Sequence, residues 1–510
     1  MKPQPNVLFI LSDQHNAKVL GHKGHPDVKT PCLDQMAAEG VRFDNAVTQN
    51  AICTPSRVSF LSGQYCHNHG YYGLSGPNPG GLPNLLGHFR CAGYRTSAMG
   101  KIHCPEYWIE DQADVFHETC GCSIGGRSPD YTAFLRERGK EHLEDHVSLT
   151  EFGPKGLQSM EGRPSPLTFD ESQEGWVVNR TIAFIQDCVA AGKPFFSHVS
   201  LPRPHQCTSP SQEFWDLYEG MDLTLPPNAD YPMEGKAPHL RQAAANWKKG
   251  HWALLEPKTF EAARLRKLRG YLGAVSQVDH AVGRLLDHLR TTGLADNTIV
   301  VYSSDHGDYA TEHGIMEKAP GISADAITRI PSIWWAPGRF KPGHIAPELV
   351  EAVDVSSTLC SLAGLDPMIT SDGKDLSPLL QGNSSAMHRI AVTEFAWSKS
   401  VRKGKYRLVY FPPAMFKADY PEGFGELYDL EVDPWEMRNL YFESAYREVI
   451  LDLQRDLLDW LVTTTHPVTV HPPVSRPAGR QEYKRYHNLL ALDGKLPPAE
   501  IATLPYRSYL

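Results

Sequence analysis

Residues Val275 to Asp308 read VSQVDHAVGRLLDHLRTTGLADNTIVVYSSDHGD, and the spacing within that stretch decides the fold class. Val278, Val282, Leu285, Leu286 and Leu289 recur at intervals of three and four, which predicts an amphipathic helix that Gly293 stops. Thr298-Ile-Val-Val-Tyr-Ser303 then predicts a strand. A helix leading into a strand is a wound α/β unit, and in open sheets of that kind ligands bind beyond the carboxyl ends of the strands. Here that place is taken by Ser304-Asp305-His306-Gly307-Asp308. The same grammar recurs upstream: Val7-Leu-Phe-Ile-Leu11 predicts a buried strand, and Ser12-Asp13-Gln14-His15 follow it. Thr30 to Glu39 predicts a helix on Leu33, Met36 and Ala37 with Gly40 as its stop, and Pro194 to Ser200 predicts a further strand.

The chain has 510 residues, about three times the common single-domain size, so one simple core is excluded. From about residue 385 the pattern changes to short strands (Ile390 to Glu394, Lys405 to Phe411, Leu427 to Leu430) and one amphipathic helix near Arg447 to Leu461. The expected organisation is a large α/β domain over 1–384, a small antiparallel-sheet subdomain with a helix over 385–465, and an extended tail over 466–510 able to serve as an oligomer contact. With 41% hydrophobic and 21% charged residues the chain is ordinary globular material. A formal charge of −9 has the wrong sign for a polyanion partner, so no nucleic acid is expected. The apolar run at the N-terminus is too short for an export signal and no stretch approaches a membrane span, which predicts a cytoplasmic protein without a membrane partner. The ten cysteines form no CxxC pair and are expected to stay reduced, with Cys53 set apart by its surroundings.

Those surroundings are Asn50-Ala-Ile-Cys53-Thr54-Pro55-Ser56-Arg57, which a merely buried thiol does not require. Cys53-Thr-Pro-Ser-Arg57 resembles the C-x-P-x-R signature of the type I sulfatases, whose cysteine is oxidised to formylglycine, and the other motifs follow in order. Gly100-Lys101-Ile-His103 resembles the family's G-K-x-H, and Pro202-Arg-Pro-His205 its sulfate-binding histidine segment. Thr30-Pro-Cys-Leu-Asp34 with Glu39-Gly-Val-Arg-Phe43 is similar to an early family run. Asp305-His306-Gly307, followed by Lys318, resembles the second metal motif. Asp372-Gly373, Glu426-Leu-Tyr-Asp-Leu430, Asp433-Pro434 and Asn439-Leu440 resemble the C-terminal signatures. The resemblance covers about residues 6 to 460 and implies the alkaline-phosphatase-like fold: a mixed, largely parallel sheet flanked by helices, with a smaller C-terminal α+β subdomain. Asp13-Gln14 and Asp305-His306 depart from the commoner Asp-Asp and Asp-Asn pairs and are similar to the phosphonate monoester hydrolase and choline sulfatase branches. Lys101 and His103 sit closer to the sulfatase pattern.

The resemblance implies a small organic sulfate ester as substrate, formylglycine made from Cys53 by a formylglycine-generating enzyme, and one divalent cation held by Asp13, Gln14, Cys53, Asp305 and His306. Calcium comes first, and a softened ligand set admits manganese or zinc. Cleavage of a sulfate monoester pushes negative charge onto the leaving oxygen, so fixed positive charge is required; Arg57, Lys101 and Lys318 are the candidates. A formylglycine hydrate attacks sulfur through one hydroxyl to give a sulfo-enzyme, and deprotonation of the other, with His103 as candidate base, expels sulfate. His205 is the candidate acid for the departing alcohol, and Asp305 can accept the first proton. Two alternatives stand beside this: a phosphonate monoester or phosphodiester hydrolase using the same site, and an inactive sulfatase-like binding protein with Cys53 unmodified. His15, His22, His25, His67, His69 and His313 are expected at the surface or behind the ligands. Tyr107, Trp108, Tyr131, Phe214, Trp215 and Tyr218 are candidates to stack on a leaving group, with core packing as the other reading. The proline-rich tail and the stretch Arg480 to Leu510 suggest a homo-oligomer.

Overall fold

The computed structural model describes residues 4–74, 81–105, 107–119, 129–143, 162–206, 208–248, 259–318, 323–383 and 387–466. Eight strands form the main sheet: β1 (Asn6–Asp13), β2 (Val41–Val47), β3 (Arg95–Gly100), β4 (Val115–Glu118), β5 (Phe195–Pro204), β6 (Thr298–Ser304), β7 (Ser332–Trp335) and β8 (His344–Glu351). Their order across the sheet is β4-β3-β5-β1-β6-β7-β2-β8. β7 runs antiparallel to both β6 and β2, and the remaining pairings are parallel. The sheet is therefore mixed and largely parallel, as the sequence leads one to expect.

β1 is central because it is apolar on both faces, the signature of a parallel strand covered by helices above and below. Val7, Phe9 and Leu11 point into one core, Leu8 and Ile10 into the other, the period of two that a strand imposes. The first core is closed by α1 (Pro31–Glu39) on neither side; it takes α2 (Cys53–Ser62) and the helices Leu85–Cys91 and Asp354–Leu362. The second is closed by α1 and the helices Gln173–Ala190 and Phe260–Thr291. The last of these begins well before Val275, at a Thr259 side chain that accepts the Ala262 N–H. Gly270 and Gly273 interrupt the apolar spacing there and conceal its first turns in the sequence.

A second sheet follows: β9 (Ala391–Glu394), β10 (Lys399–Lys403), β11 (Tyr406–Tyr410) and β12 (Gly425–Asp429), antiparallel throughout, with the helix Arg447–Thr464 packed on it through Ile450, Leu453, Leu457 and Trp460. β10 carries Val401 as its one apolar residue, which is why periodicity does not reveal it. The expected tail lies outside the described residues except for His466. Among the described residues no helix is long and apolar enough to cross a membrane.

The two sheets meet at a buried charge cluster. His388, just before β9, reaches Asp354 Oδ2 at 2.9 Å and Glu351 Oε2 at 3.4 Å. Burial depresses its pKa, but Asp354 and Glu351 outweigh burial and raise it above the ordinary 6.5. A histidine raised on folding stabilises fully below its unfolded value, and that contribution is lost as pH rises through its folded value. The urea midpoint of the wild type should exceed that of His388→Ala by more at pH 6 than at pH 9; an equal gap at both values would contradict this linkage.

Candidate active site

α2 opens at Ile52, whose backbone is extended, so Cys53 is the first helical residue. Pro55 fits in the first turn, where its missing N–H is unneeded. Cys53 and Arg57 are four apart and therefore share one helix face. Every residue of α2 is buried, so each polar side chain must find a partner. Ser56 Oγ donates to the Asp305 carbonyl at 2.6 Å, and Thr54 Oγ1 to the carbonyls of Leu74 and His103, each at 2.9 Å. The helix is thus tied to the loop after β6 and to the segment after β3.

Arg57 does the joining. Its Nη2 donates to Asp13 Oδ2 at 2.8 Å and its Nε to Asp305 Oδ2 at 2.9 Å, while Nη1 donates to the Lys101 carbonyl at 2.6 Å and Ser200 Oγ at 2.7 Å. The expectation that Arg57 faces the sulfuryl oxygens needs correcting: its guanidinium is spent on protein partners and acts through the two carboxylates. Lys101 Nζ also binds Asp13 Oδ2, at 2.7 Å.

With both Oδ2 atoms engaged, Asp13 Oδ1 turns towards Cys53 and His306, and Asp305 Oδ1, which accepts the Gln14 and His306 N–H groups at 3.0 and 2.9 Å, faces the same imidazole. Asp13 Oδ1 is 3.8 Å from Cys53 Sγ and 4.0 Å from His306 Nε2, and Asp305 Oδ1 is 3.7 Å from the same nitrogen. His306 Nδ1 lies 2.9 Å from the Gly307 carbonyl, which can only accept, so Nε2 is the atom left to face Cys53 Sγ at 3.4 Å. One donor atom from each of Asp13, Cys53, Asp305 and His306 falls within 4.8 Å of the others. Two buried carboxylates, an imidazole and the residue-53 side chain suit a divalent cation. Gln14 sits at the margin in a left-handed backbone, φ 69°; its Nε2 donates to Asp308 Oδ2 at 2.5 Å, and its Oε1 accepts from Lys318 Nζ at 2.9 Å. Lys318 Nζ is also 3.4 Å from Cys53 Sγ.

Two glycines are obligatory here. A Cβ on Gly100, φ 106°, would lie 1.8 Å from the Ser200 carbonyl oxygen, and one on Gly307 would lie 1.9 Å from that of Ala326. These are the glycines of the Gly-Lys-x-His and Asp-His-Gly motifs, and each lets a ligand-bearing segment press against neighbouring backbone.

The field of the site favours anions. Burial and the Cys53 charge work against ionising Asp13, yet Lys101, His205 and Arg57 hold it well below the usual carboxylate range. Burial likewise opposes the Cys53 thiolate, but Lys318, Lys101 and His306, with a hydrogen bond from His103, bring the thiol well below its ordinary value. His205, partly buried beside Lys101 and Lys318, is pushed down to about 4 by desolvation and by those two charges, and hydrogen-bonds Cys53. A neutral His205 is not yet an acid; it needs the negative charge of a bound substrate. His103 holds φ 46°, and its Nδ1 is buried without a partner.

The structure thus gathers Asp13, Gln14, Cys53, Arg57, Lys101, His103, His205, Asp305, His306 and Lys318 around one point. Sequence reasoning missed Ser56, Thr54 and Ser200, which carry no pattern of their own, and gave Asp308 no role although it stands in the quoted motif. Of the histidines expected at the surface or behind the ligands, His15, His69 and His313 are buried; His15 lies behind the loop, between Tyr302 Oη at 2.6 Å and the Val19 carbonyl at 2.9 Å. Trp108, Tyr131, Phe214 and Tyr218 belong to the hydrophobic cores. The reading of these four as a wall for the leaving group gives way to core packing.

The sulfatase family model matches residues 5–365. The chain belongs to the sulfatase family. It is accordingly an enzyme of the sulfuric ester hydrolase class. A model described as the C-terminal part of N-sulphoglucosamine sulphohydrolase matches residues 311–462. An arylsulfatase of Clostridium perfringens is 28% identical over 485 residues, covering 89% of this sulfatase and 94% of the relative. A choline-sulfatase of Rhizobium meliloti is 29% identical over 449 residues, covering 86% and 82% respectively. The crystal structure of a phosphonate monoester hydrolase of Agrobacterium radiobacter superposes with a TM-score of 0.72 at 23% identity, covering 94% of this chain and 100% of that one.

Removing the guanidinium leaves two buried carboxylates facing each other. Arg57→Ala should cost about 3–5 kcal/mol of stability in chemical denaturation and lower kcat/KM by at least roughly a hundredfold. Arg57→Lys, which cannot span both carboxylates, should recover little of either.

Proposed function

We propose that this sulfatase hydrolyses a small organic sulfate monoester, with Cys53 carried as formylglycine. The observation that supports this reading is the convergence of Lys101, Lys318, His103 and His205 on the residue-53 side chain, beside the carboxylates of Asp13 and Asp305. A divalent cation held by Asp13, Gln14, Asp305 and His306 would polarise a sulfuryl oxygen and acidify the nucleophile. Its identity follows the expectation above, calcium before manganese or zinc.

The chain's own residues account for the rest. Lys101 and Lys318 hold the sulfuryl oxygens, and each is nearly fully buried, where charge acts through a low dielectric. The hydrate of formylglycine offers one hydroxyl to sulfur; after the sulfur–alcohol bond breaks, loss of the proton from the other hydroxyl reforms the carbonyl and releases sulfate without water attacking sulfur. His103, which hydrogen-bonds the residue-53 side chain, takes that proton. His205 gives one to the departing alcohol once substrate charge has raised it from its resting value of about 4. Asp305 is available to take the nucleophile's first proton. Maturation would call on a formylglycine-generating enzyme.

A phosphonate monoester or phosphodiester also carries one negative charge, and Lys101 with Lys318 would hold it by the same geometry. Slow turnover of such substrates is part of the proposal. A homo-oligomer and a cytoplasmic location remain expectations, and the tail that motivates the first lies outside the described residues.

Peptide mass spectrometry across Cys53 in active protein should find the aldehyde, and an intact thiol in every active molecule would favour the binding-protein reading. His103→Ala should accumulate a sulfated residue 53 after one turnover. His205→Ala should slow alkyl sulfates far more than aryl sulfates whose leaving group needs no proton. Equal losses on both substrates, with no trapped species, would refute these assignments.

A further inference from the structure

The C-terminal motif Asp433-Pro434 is followed by Trp435 and Glu436, far from Cys53 in sequence and absent from the chemistry above. Its contacts run to both ligand-bearing loops. On the β1 side, Lys18 Nζ donates to the Pro434 carbonyl at 3.1 Å, lies 4.3 Å above the Trp435 ring and pairs with Glu312 at 3.0 Å. The Lys18 N–H donates to Asn16 Oδ1 at 2.8 Å, and Asn16 Nδ2 donates to the Asp308 carbonyl at 2.7 Å. Lys18 thus reaches the loop that holds Asp13 and Gln14 through its own backbone.

On the β6 side, Glu436 Oε2 accepts the Asp325 N–H at 3.0 Å, and its Oε1 is gripped by Arg407 Nε of β11. Asp325 opens the turn Asp325–Thr328, and that turn is what Gly307 rests on: the Gly307 N–H donates to the Ile327 carbonyl at 3.0 Å, and the Ala326 carbonyl fills the space of a Cβ. Arg402 of β10 and Arg329 add pairs to Asp325 at 3.4 and 2.8 Å. Glu436 is itself buried and held at φ 51°, a backbone region that costs a non-glycine residue energy and persists where the surroundings impose it.

We propose that Pro434, Trp435 and Glu436 form a clamp by which the second sheet sets the distance between the Asp13–Gln14 and Asp305–His306 loops, with Lys18 and Glu436 as positioning residues for the cation site. This rests on the reading of those loops as cation ligands. It gives the C-terminal signature a role in the reaction without contact with substrate.

The test is the affinity of the full-length protein for Mn2+ alone, read from the electron paramagnetic resonance signal of the free ion, with no turnover involved. Lys18→Met and Glu436→Gln should each weaken binding roughly tenfold to a hundredfold, the range for residues that orient ligands from behind. The double variant should lose less than the product of the two, because both act on one device. His388→Ala loosens the same sheet where it touches neither Lys18 nor Glu436, and should bind Mn2+ as the wild type does. Unchanged affinity in both clamp variants, or an equal loss in His388→Ala, overturns the clamp while leaving the cation reading intact. A wild type that binds no Mn2+, or binds it equally well after Asp305→Asn, overturns the cation reading and the clamp with it.

Discussion

Two carboxylates that end neighbouring parallel strands cannot both be ionised and buried unless something holds them apart and neutralises them. Arg57 does both, one nitrogen on Asp13 and another on Asp305. The planar fork of a guanidinium spans two acceptors at fixed separation, which an ammonium cannot do. Because Arg57 stands one turn from Cys53 on a helix without an exposed residue, the same contact that joins the strands also aims position 53 at Asp13 Oδ1. The site is built outward from this bridge.

The bridge explains why the family signature is a helix and why that helix is polar yet buried. An apolar helix would pack as well against β1 and Phe9, but it could not tie the loop after β6 to the segment after β3. Ser56 and Thr54 make those ties with hydroxyls that donate to backbone carbonyls. Buried polar networks of this kind contribute modestly when satisfied and are expensive when broken, so they specify one arrangement more than they add stability. The glycines at 100 and 307 belong to the same economy of space, since backbone must approach backbone where ligands converge.

How much of this could be read in the sequence depends on range. The strand–loop grammar that places Asp13 and Asp305 at one sheet edge is local and legible, as are β1, β5 and β6, whose apolar runs have no competing reading. β10 is not legible, since its register comes from partners on both sides and a single Val401 carries no period. The fate of Arg57 was invisible too: a spacing motif says that an arginine is needed, and only the folded geometry says that it faces carboxylates and not substrate. The aromatics of the 104–218 region were ambiguous for the opposite reason. Their chemistry suits either a pocket wall or a core, and burial alone separates the two.

Charge balance ties position 53 to its proposed conversion. Arg57 pairs with the carboxylates of both Asp13 and Asp305 and Lys101 with Asp13, while Lys318 donates to Gln14 Oε1 and lies 3.4 Å from Cys53 Sγ. In the unconverted chain burial opposes a Cys53 thiolate, and Lys318 and Lys101 are first among the charges that favour it. A thiolate there occupies the electrostatic place of a substrate anion. An aldehyde hydrate is neutral, so the proposed conversion would remove that internal anion and leave the field of the two lysines to an external one. On this argument the proposed formylglycine would do two things at once: supply a hydrate hydroxyl that can collapse to a carbonyl, and empty the anion site that an unmodified cysteine would fill with its own charge.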